Sequence, residues 1–282
     1  MADIVLQKPA PSPARRGPIP RRRPGNAKGH GTRLISLATV VGLLLVWGFV
    51  SNLGLVPPLF LPTPQAVLGK LVTTAATGFA DATLLQHLAA SLGRVFAALA
   101  LALVIAVPVG IAIGTSRVAH GILDPLIEFY RPIPPLAYLP LIVIWFGIGE
   151  TSKVLVIFLA IFAPIAIATA AGVRAVPPDR LRAARSLGAT RAQLLRHVIL
   201  PNALPEILTG VRIGLGVGWS TLVAAELVAA TSGLGFMIQS AAQFLVTDVV
   251  VLGILVIAAI AFLLEYLLRL LQRRLTPWHG RG

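Results

Sequence analysis

The sequence has no cysteine, which excludes a disulfide framework, a thiolate nucleophile and a cysteine metal site. It has little charge: Asp, Glu, Lys and Arg make up 12% of its 282 residues, against roughly 25% in ordinary soluble domains. Acidic residues are the scarcer sign, 10 against 24 Lys and Arg. No Gly-x-x-x-x-Gly-Lys-Ser/Thr phosphate loop is present. Gly147-Ile-Gly-Glu-Thr-Ser-Lys153 echoes one with the wrong spacing, so the chain does not hydrolyse ATP by that route. No Gly-x-Ser-x-Gly nucleophile elbow occurs, and His30, His87, His120, His197 and His279 show no metal-ligand spacing. These absences argue against a membrane enzyme: no catalytic residue and no metal site is expected.

What is abundant is apolar. Hydrophobic residues make up 56% and the mean hydropathy is +0.87, which points to a polytopic membrane protein. A spanning helix needs about 20 apolar residues, because roughly 30 Å of hydrocarbon is crossed at 1.5 Å per residue. Six runs meet that need: Leu34–Val50, one within 88–115, 124–147, Val154–Val173, Pro205–Ala230 and Val249–Leu268. The expected fold is all-α. In the third run Pro132, Pro134 and Pro135 preclude a regular helix throughout. Residues 52–86, rich in proline, read as a loop with an amphipathic segment.

A net charge of +14 in a soluble protein would suggest nucleic acid. Here the charges lie between apolar runs, so lipid and not nucleic acid is the expected partner. Residues 1–33 carry eight Lys and Arg among many prolines and glycines, a composition that cannot bury enough apolar surface to fold. They read as a disordered basic tail, and no small-residue cleavage site marks a signal peptide. With both termini inside, 19 of the 24 Lys and Arg fall on the cytoplasmic side, in keeping with the retention of basic loops there.

The loop 174–204 is the most informative stretch. Pro178 and Asp179 suit a helix start, and Gly188 suits the left-handed position beyond its end. Thr190 and Gln193 have capping-box spacing, and Pro201 is expected to stop the second helix. Leu194, Leu195, Val198 and Ile199 form an apolar stripe, which reads either as a docking face or as packing on the chain's own helix ends.

Arg182-Ala183-Ala184, then Gly188, then Val198-Ile199-Leu200-Pro201 resemble the Glu-Ala-Ala loop of permeases in binding-protein-dependent ABC importers. The spacing agrees; Arg182 replaces the glutamate, and Val198 an isoleucine. Residues 121–153 resemble the branch serving sulfonates, nitrate and related anions, and 202–240 with Gln272–Gly280 resemble taurine-importer permeases. The resemblance implies a type I, MetI-like transmembrane domain over 34–282 in the bacterial inner membrane. It implies an ATPase dimer docked on Arg182, Ala183, Ala184, Gly188, Val198, Leu200 and Pro201, a periplasmic taurine- or sulfonate-binding protein, and a second copy of this chain. ATP-Mg would sit on the ATPase, and this chain would hold no cofactor. Permeases for alkanesulfonates or nitrate are the alternatives within that class. A secondary transporter is the alternative outside it, but no clear inverted repeat is seen.

Charges inside spans usually face a protein interior or a wet path. Arg131, with Glu128 three residues earlier as a possible ion-pair partner, and Glu226 are therefore candidates for a translocation path. Arg94 reads as snorkelling to the interface. Gly210, Gly214 and Gly218, like Gly110 and Gly114, recur at four-residue spacing. That spacing fits close helix packing, within the subunit or against a second copy.

Overall fold

The computed structural model describes residues 31–277, and every named element among them is helical. In chain order these are α1 (Gly31–Asn52), α2 (Pro64–Ala76), α3 (Leu84–Thr115), α4 (Arg117–Tyr130), α5 (Pro135–Phe146) and α6 (Glu150–Arg174). Then follow α7 (Pro178–Ser186), α8 (Arg191–Gln193), a π-helical turn Leu194–Ile199, α9 (Leu200–Ala229), α10 (Leu234–Gln243) and α11 (Thr247–Leu275). Among the described residues five helices are long and apolar enough to cross a membrane, and α4 with α5, bent by 101°, brings the number to six if the pair is counted as one broken span. The break at 131–134 follows from Pro132, Pro134 and Pro135, which supply no backbone N–H and hold the chain extended. Of the tail expected over 1–33, residues 31–33 begin α1, and the remainder lies outside the described residues. The chain divides into two compact units, Met1–Phe49 and Val50–Gly282; the following concerns the second.

Its centre is α6. Ile157, Ile161, Ile165 and Ala166 of α6 are fully buried. On one side they meet the alanine stripe Ala98, Ala102 and Ala106 of α3, and on the other Val211, Leu215 and Leu222 of α9. Small residues permit this closeness. A Cβ placed on Gly110 would stand 2.5 Å from both the Ala166 carbonyl oxygen and Thr169 Cβ. Gly114 faces Ala170 and Val173, so α3 and α6 run parallel. Gly210 faces Pro164, Ile165 and Ala168, and Gly218 faces Ile157 and Ile161, so α9 runs antiparallel to α6. Both glycine series thus pack within the subunit.

Two elements depart from the sequence expectation. The helix that starts at Thr190 does not stop at Pro201. It passes through the π turn, where Leu200 N–H bonds to the Leu195 carbonyl, and continues to Val228 as one span of 38 residues. Asn202 Nδ2 donates to the Val198 carbonyl at 2.6 Å and Thr209 Oγ1 to that of Pro205 at 2.9 Å. The π turn is the local backbone adjustment by which a long membrane helix accepts a proline. The second departure is α10, between the fifth and sixth runs, where sequence reading names no element. Its Leu234, Met237 and Ala241 fall on one face and bury against α11 together with Val249.

Candidate functional site

The loop 174–204 is built as a capped unit. Gly188 adopts φ +80°. Ala189 N–H bonds to the Ala184 carbonyl at 3.1 Å and Gly188 N–H to that of Arg185 at 2.9 Å, the paired bonds of a Schellman cap. Thr190 and Gln193 then form a reciprocal capping box at the start of α8. Arg180 bonds Asn202, fastening α7 to the beginning of α9. Leu187, at the turn, is 89% exposed. Ala183 and Gly188 are exposed, Ala184, Val198 and Pro201 half-buried, and Leu200 exposed. Arg182 pairs with Asp179 at 3.5 Å, both side chains being largely exposed, where such a pair contributes little. Behind the loop lies an open cavity of about 730 Å³ bounded by Thr115, Leu181, Leu194 and Ile199.

At the opposite end of the bundle, α3, α6 and α9 are joined by a polar network. Glu226 of α9 is fully buried. It accepts from Ser91 Oγ (2.8 and 3.0 Å), Arg94 Nη1 (2.6 Å) and Gly235 N–H (2.8 Å). Arg94, 3% exposed, also donates Nη1 to the Ser232 carbonyl at 2.7 Å, and it donates bidentately to Glu150 at 2.6 and 2.8 Å. Lys153 caps Glu150 at 2.8 Å. Leu234 N–H bonds Ser91 Oγ at 2.9 Å and Gly233 N–H bonds His87 Nδ1 at 3.1 Å. The Gly233 bond makes Nδ1 an acceptor, so the ring proton lies on Nε2, which donates to the Phe79 carbonyl at 2.9 Å. The turn 232–235 is clamped from three sides. Only glycine fits at 233, with φ +125°, because a Cβ would stand 2.4 Å from the Glu226 carboxyl.

Of the candidate path residues, Glu226 is thus enclosed and satisfied by donors of its own chain. Arg131 and Glu128 lie elsewhere, at the break between α4 and α5. Both are exposed, and no ion pair joins them among the described residues. Each is exposed, where a single pair gains too little to offset the ordering of two long side chains. Arg94 does not snorkel; it turns inward. Sequence reading treated Arg94 and Glu226 separately and passed over His87, Ser91, Glu150 and Lys153. The available signal was that two lone charges in different spans are most cheaply buried as partners.

The profile of the family described as "Binding-protein-dependent transport system inner membrane component" matches residues 106–277. The taurine transport system permease protein TauC of Escherichia coli K12 is 68% identical over 267 residues, covering 90% of this chain and 97% of that protein. The bicarbonate transport system permease protein CmpB of Synechococcus elongatus is 36% identical over 245 residues, covering 85% and 88% respectively. In fold, the chain resembles a subunit of the inward-facing MetNI methionine ABC transporter. The TM-score is 0.57 at 22% identity, over 66% of this chain and 93% of that one.

Proposed function

The chain belongs to the inner membrane components of binding-protein-dependent transport systems, and on that premise we propose that it is the transmembrane subunit of an ATP-driven importer of taurine and related small sulfonates. The observation that carries the substrate is the 68% identity to TauC across 97% of that protein. Permeases of this kind work with an ATPase dimer, a periplasmic binding protein and a second permease copy, in the inner membrane with both termini cytoplasmic. The basic loops support that orientation. ATP-Mg belongs to the ATPase.

Coupling runs through the 174–204 loop. Its two caps and the Arg180–Asn202 bond hold α7 on the start of the helix that reaches Val228. At 1.5 Å per residue, that helix of 38 residues is a rod of ~57 Å. It ends beside Glu226 and the clamped 232–235 turn. Closure of the ATPases would displace α7, and the rod would carry the displacement to the far end. There Arg94, Glu150 and Glu226 act as a latch between α3, α6 and α9; Glu226 positions and does not touch substrate. Irregular backbone at membrane depth is tolerated only inside protein or along a wet path, and the exposure of Arg131 and Glu128 beside the 131–134 break supports the second of these. Arg131 supplies a cation there for a sulfonate, and Glu128 an acceptor for an ammonium.

Uptake of labelled taurine in cells lacking this chain, with and without its restoration, tests the reading, with ethanesulfonate and nitrate as competitors. Restored uptake that resists both competitors, and is lost on Gly188→Pro with the protein still in the membrane, is the expected result. Uptake of another anion in its place would change the substrate. No uptake with all partner subunits present would overturn the substrate class.

A further inference from the structure

Among the described residues, one buried side-chain polar atom lacks a hydrogen-bond partner: Trp219 Nε1. Trp219 is 8% exposed and lines a cavity of about 150 Å³ between α9 and α11. An indole N–H so enclosed forfeits its bond to water unless an acceptor enters the cavity. Arg212 and Glu265 bound the same cavity, along with Leu215, Leu264 and Leu268. Arg212 also bounds a second cavity, of about 370 Å³, whose other lining residues are Arg269, Gln272, Arg273 and Thr276. The two cavities therefore adjoin at Arg212.

The charge along this cleft is unbalanced. Glu265 is its one carboxylate, shared by Arg212 at 3.3 Å and Arg269 at 2.7 Å. Arg273 adds a third guanidinium with no opposing acid in the lining. Arg212 has no other ion pair or hydrogen bond among the described residues, so most of its five donors stay free. Arg212 lies twelve residues into α9 and Glu265 ten residues before the end of α11, roughly 18 and 15 Å along each helix. Both are inside the spans, where a cation in excess is costly without an anion or water beside it. Arginine forks and an N–H donor suit an oxyanion.

We propose that the cleft between α9 and α11 binds a tetrahedral oxyanion, held by Trp219 Nε1–H and Arg212 at its inner end and by Arg269 and Arg273 at its mouth. Two sources share that chemistry. One is the sulfonate of the transported solute, which rests on the substrate reading above. The other is the phosphate of an anionic phospholipid, with its headgroup at the arginine-rich mouth and a chain along Leu215, Leu264 and Leu268; that source is independent of the substrate.

The test uses this chain assembled with its ATPase subunits. In phosphatidylcholine nanodiscs, taurine and ethanesulfonate are titrated while tryptophan fluorescence is read. A saturable change that is absent in Trp219→Phe and at least about tenfold weaker in Arg212→Gln supports the cleft with sulfonate as ligand. In parallel, complexes from nanodiscs containing phosphatidylglycerol and phosphatidylcholine are examined by native mass spectrometry. Preferential retention of phosphatidylglycerol, lost in Arg212→Gln and in Arg273→Gln, supports the cleft with a lipid headgroup as ligand. Should Arg212→Gln fail to assemble, Arg273→Gln and Arg212→Lys carry the comparison. Arg273 is exposed near the helix end, and the lysine keeps the charge while losing the fork. Absence of both a Trp219-dependent signal and a lipid preference overturns the inference. Taurine uptake by the wild-type complex with its binding protein is measured alongside. Intact uptake over an unresponsive cleft overturns the cleft alone; absent uptake overturns the substrate reading and leaves the lipid arm standing.

Discussion

Replacing Glu226 by glutamine changes no volume, yet the surroundings make it a severe substitution. The carboxylate receives four hydrogen bonds from three donors. One oxygen faces Arg94 Nη1 and the other the Gly235 N–H. Ser91 cannot turn its hydroxyl into an acceptor for the newcomer without a loss, because its oxygen already accepts from Leu234 N–H and its hydrogen points at Glu226. Whichever way the amide is placed, its NH₂ confronts a donor. A buried donor left unpaired costs about 1–3 kcal/mol, and breaking a buried ion pair about 3–5 kcal/mol. Arg94 keeps Glu150, so the lower end applies, about 3 kcal/mol. At roughly 2–4 °C per kcal/mol for a domain of this size, Glu226→Gln should lower the thermal midpoint by about 6–12 °C. The assay is thermal unfolding of the purified chain in detergent. Arg94→Met and the double variant close the cycle, with a coupling of at least about 0.5 kcal/mol expected between groups in contact. A shift below about 2 °C, or strictly additive losses, would refute the claim that these charges hold α3 to α9.

Other substitutions separate packing, coupling and path. Gly110→Ala puts a methyl 2.5 Å from the backbone of α6 and should cost about 1–3 kcal/mol; Gly93→Ala, with nothing within 4 Å, should stay within about 0.5 kcal/mol in the same melts. At φ +80°, Gly188→Ala costs about 1–2 kcal/mol confined to the loop, so the protein should reach the membrane while permease-dependent ATPase activity falls, with Gly188→Asn milder. Leu187→Glu should leave the thermal midpoint unchanged, since the side chain is 89% exposed, but should reduce the ATPase recovered by co-purification. Arg131→Gln should lower taurine uptake at least about tenfold at unchanged thermal stability, since no partner of its own chain is lost; unchanged uptake would remove Arg131 from the path.

The spans were legible because hydropathy is a property of each segment alone. The same holds for the caps at Gly188 and Thr190, whose chemistry is set within five residues. The 131–134 break was legible too, since three prolines exclude continuous helix without reference to anything else. What could not be read was pairing across the bundle. Arg94 and Glu226 stand 132 residues apart. They meet only because α3 runs parallel and α9 antiparallel to α6, and that arrangement is decided by where glycines and alanines allow contact. Conversely, Glu128 and Arg131 have the spacing of a local pair and do not form one. Spacing gives opportunity, and only burial or several partners would have made the pair worth its ordering cost. The passage of the helix through Pro201 and Pro205 was missed for a related reason. Proline is a reliable stop where the backbone cannot adjust to the lost hydrogen bond, and here a π turn directly before Pro201 makes that adjustment.

That continuous helix bears on mechanism more than any single side chain. Had the chain stopped at Pro201, the loop and the first turn of α9 would be separate bodies, and a push on α7 would be absorbed at the joint. As one helix from Arg191 to Val228, it is unbroken at that point. Its loop end is fixed by Arg180 and its far end by Glu226. A displacement at the loop must therefore strain the Arg94–Glu226 contact, the interface with α6, or both. The α6 face yields poorly: Gly210 is already in close contact with the α6 backbone, so the helix cannot slide there without steric cost. The polar latch is the alternative, because Glu150 is largely exposed at 64% and Arg94 can exchange that partner for water. Glu150→Gln should consequently loosen the latch without emptying the core. The expected signature is a small fall in thermal midpoint, about 2–4 °C for the loss of about 1 kcal/mol, together with ATPase activity less dependent on the binding protein. A variant that lost stability but kept strict dependence would show that the strain is carried by the α6 interface instead.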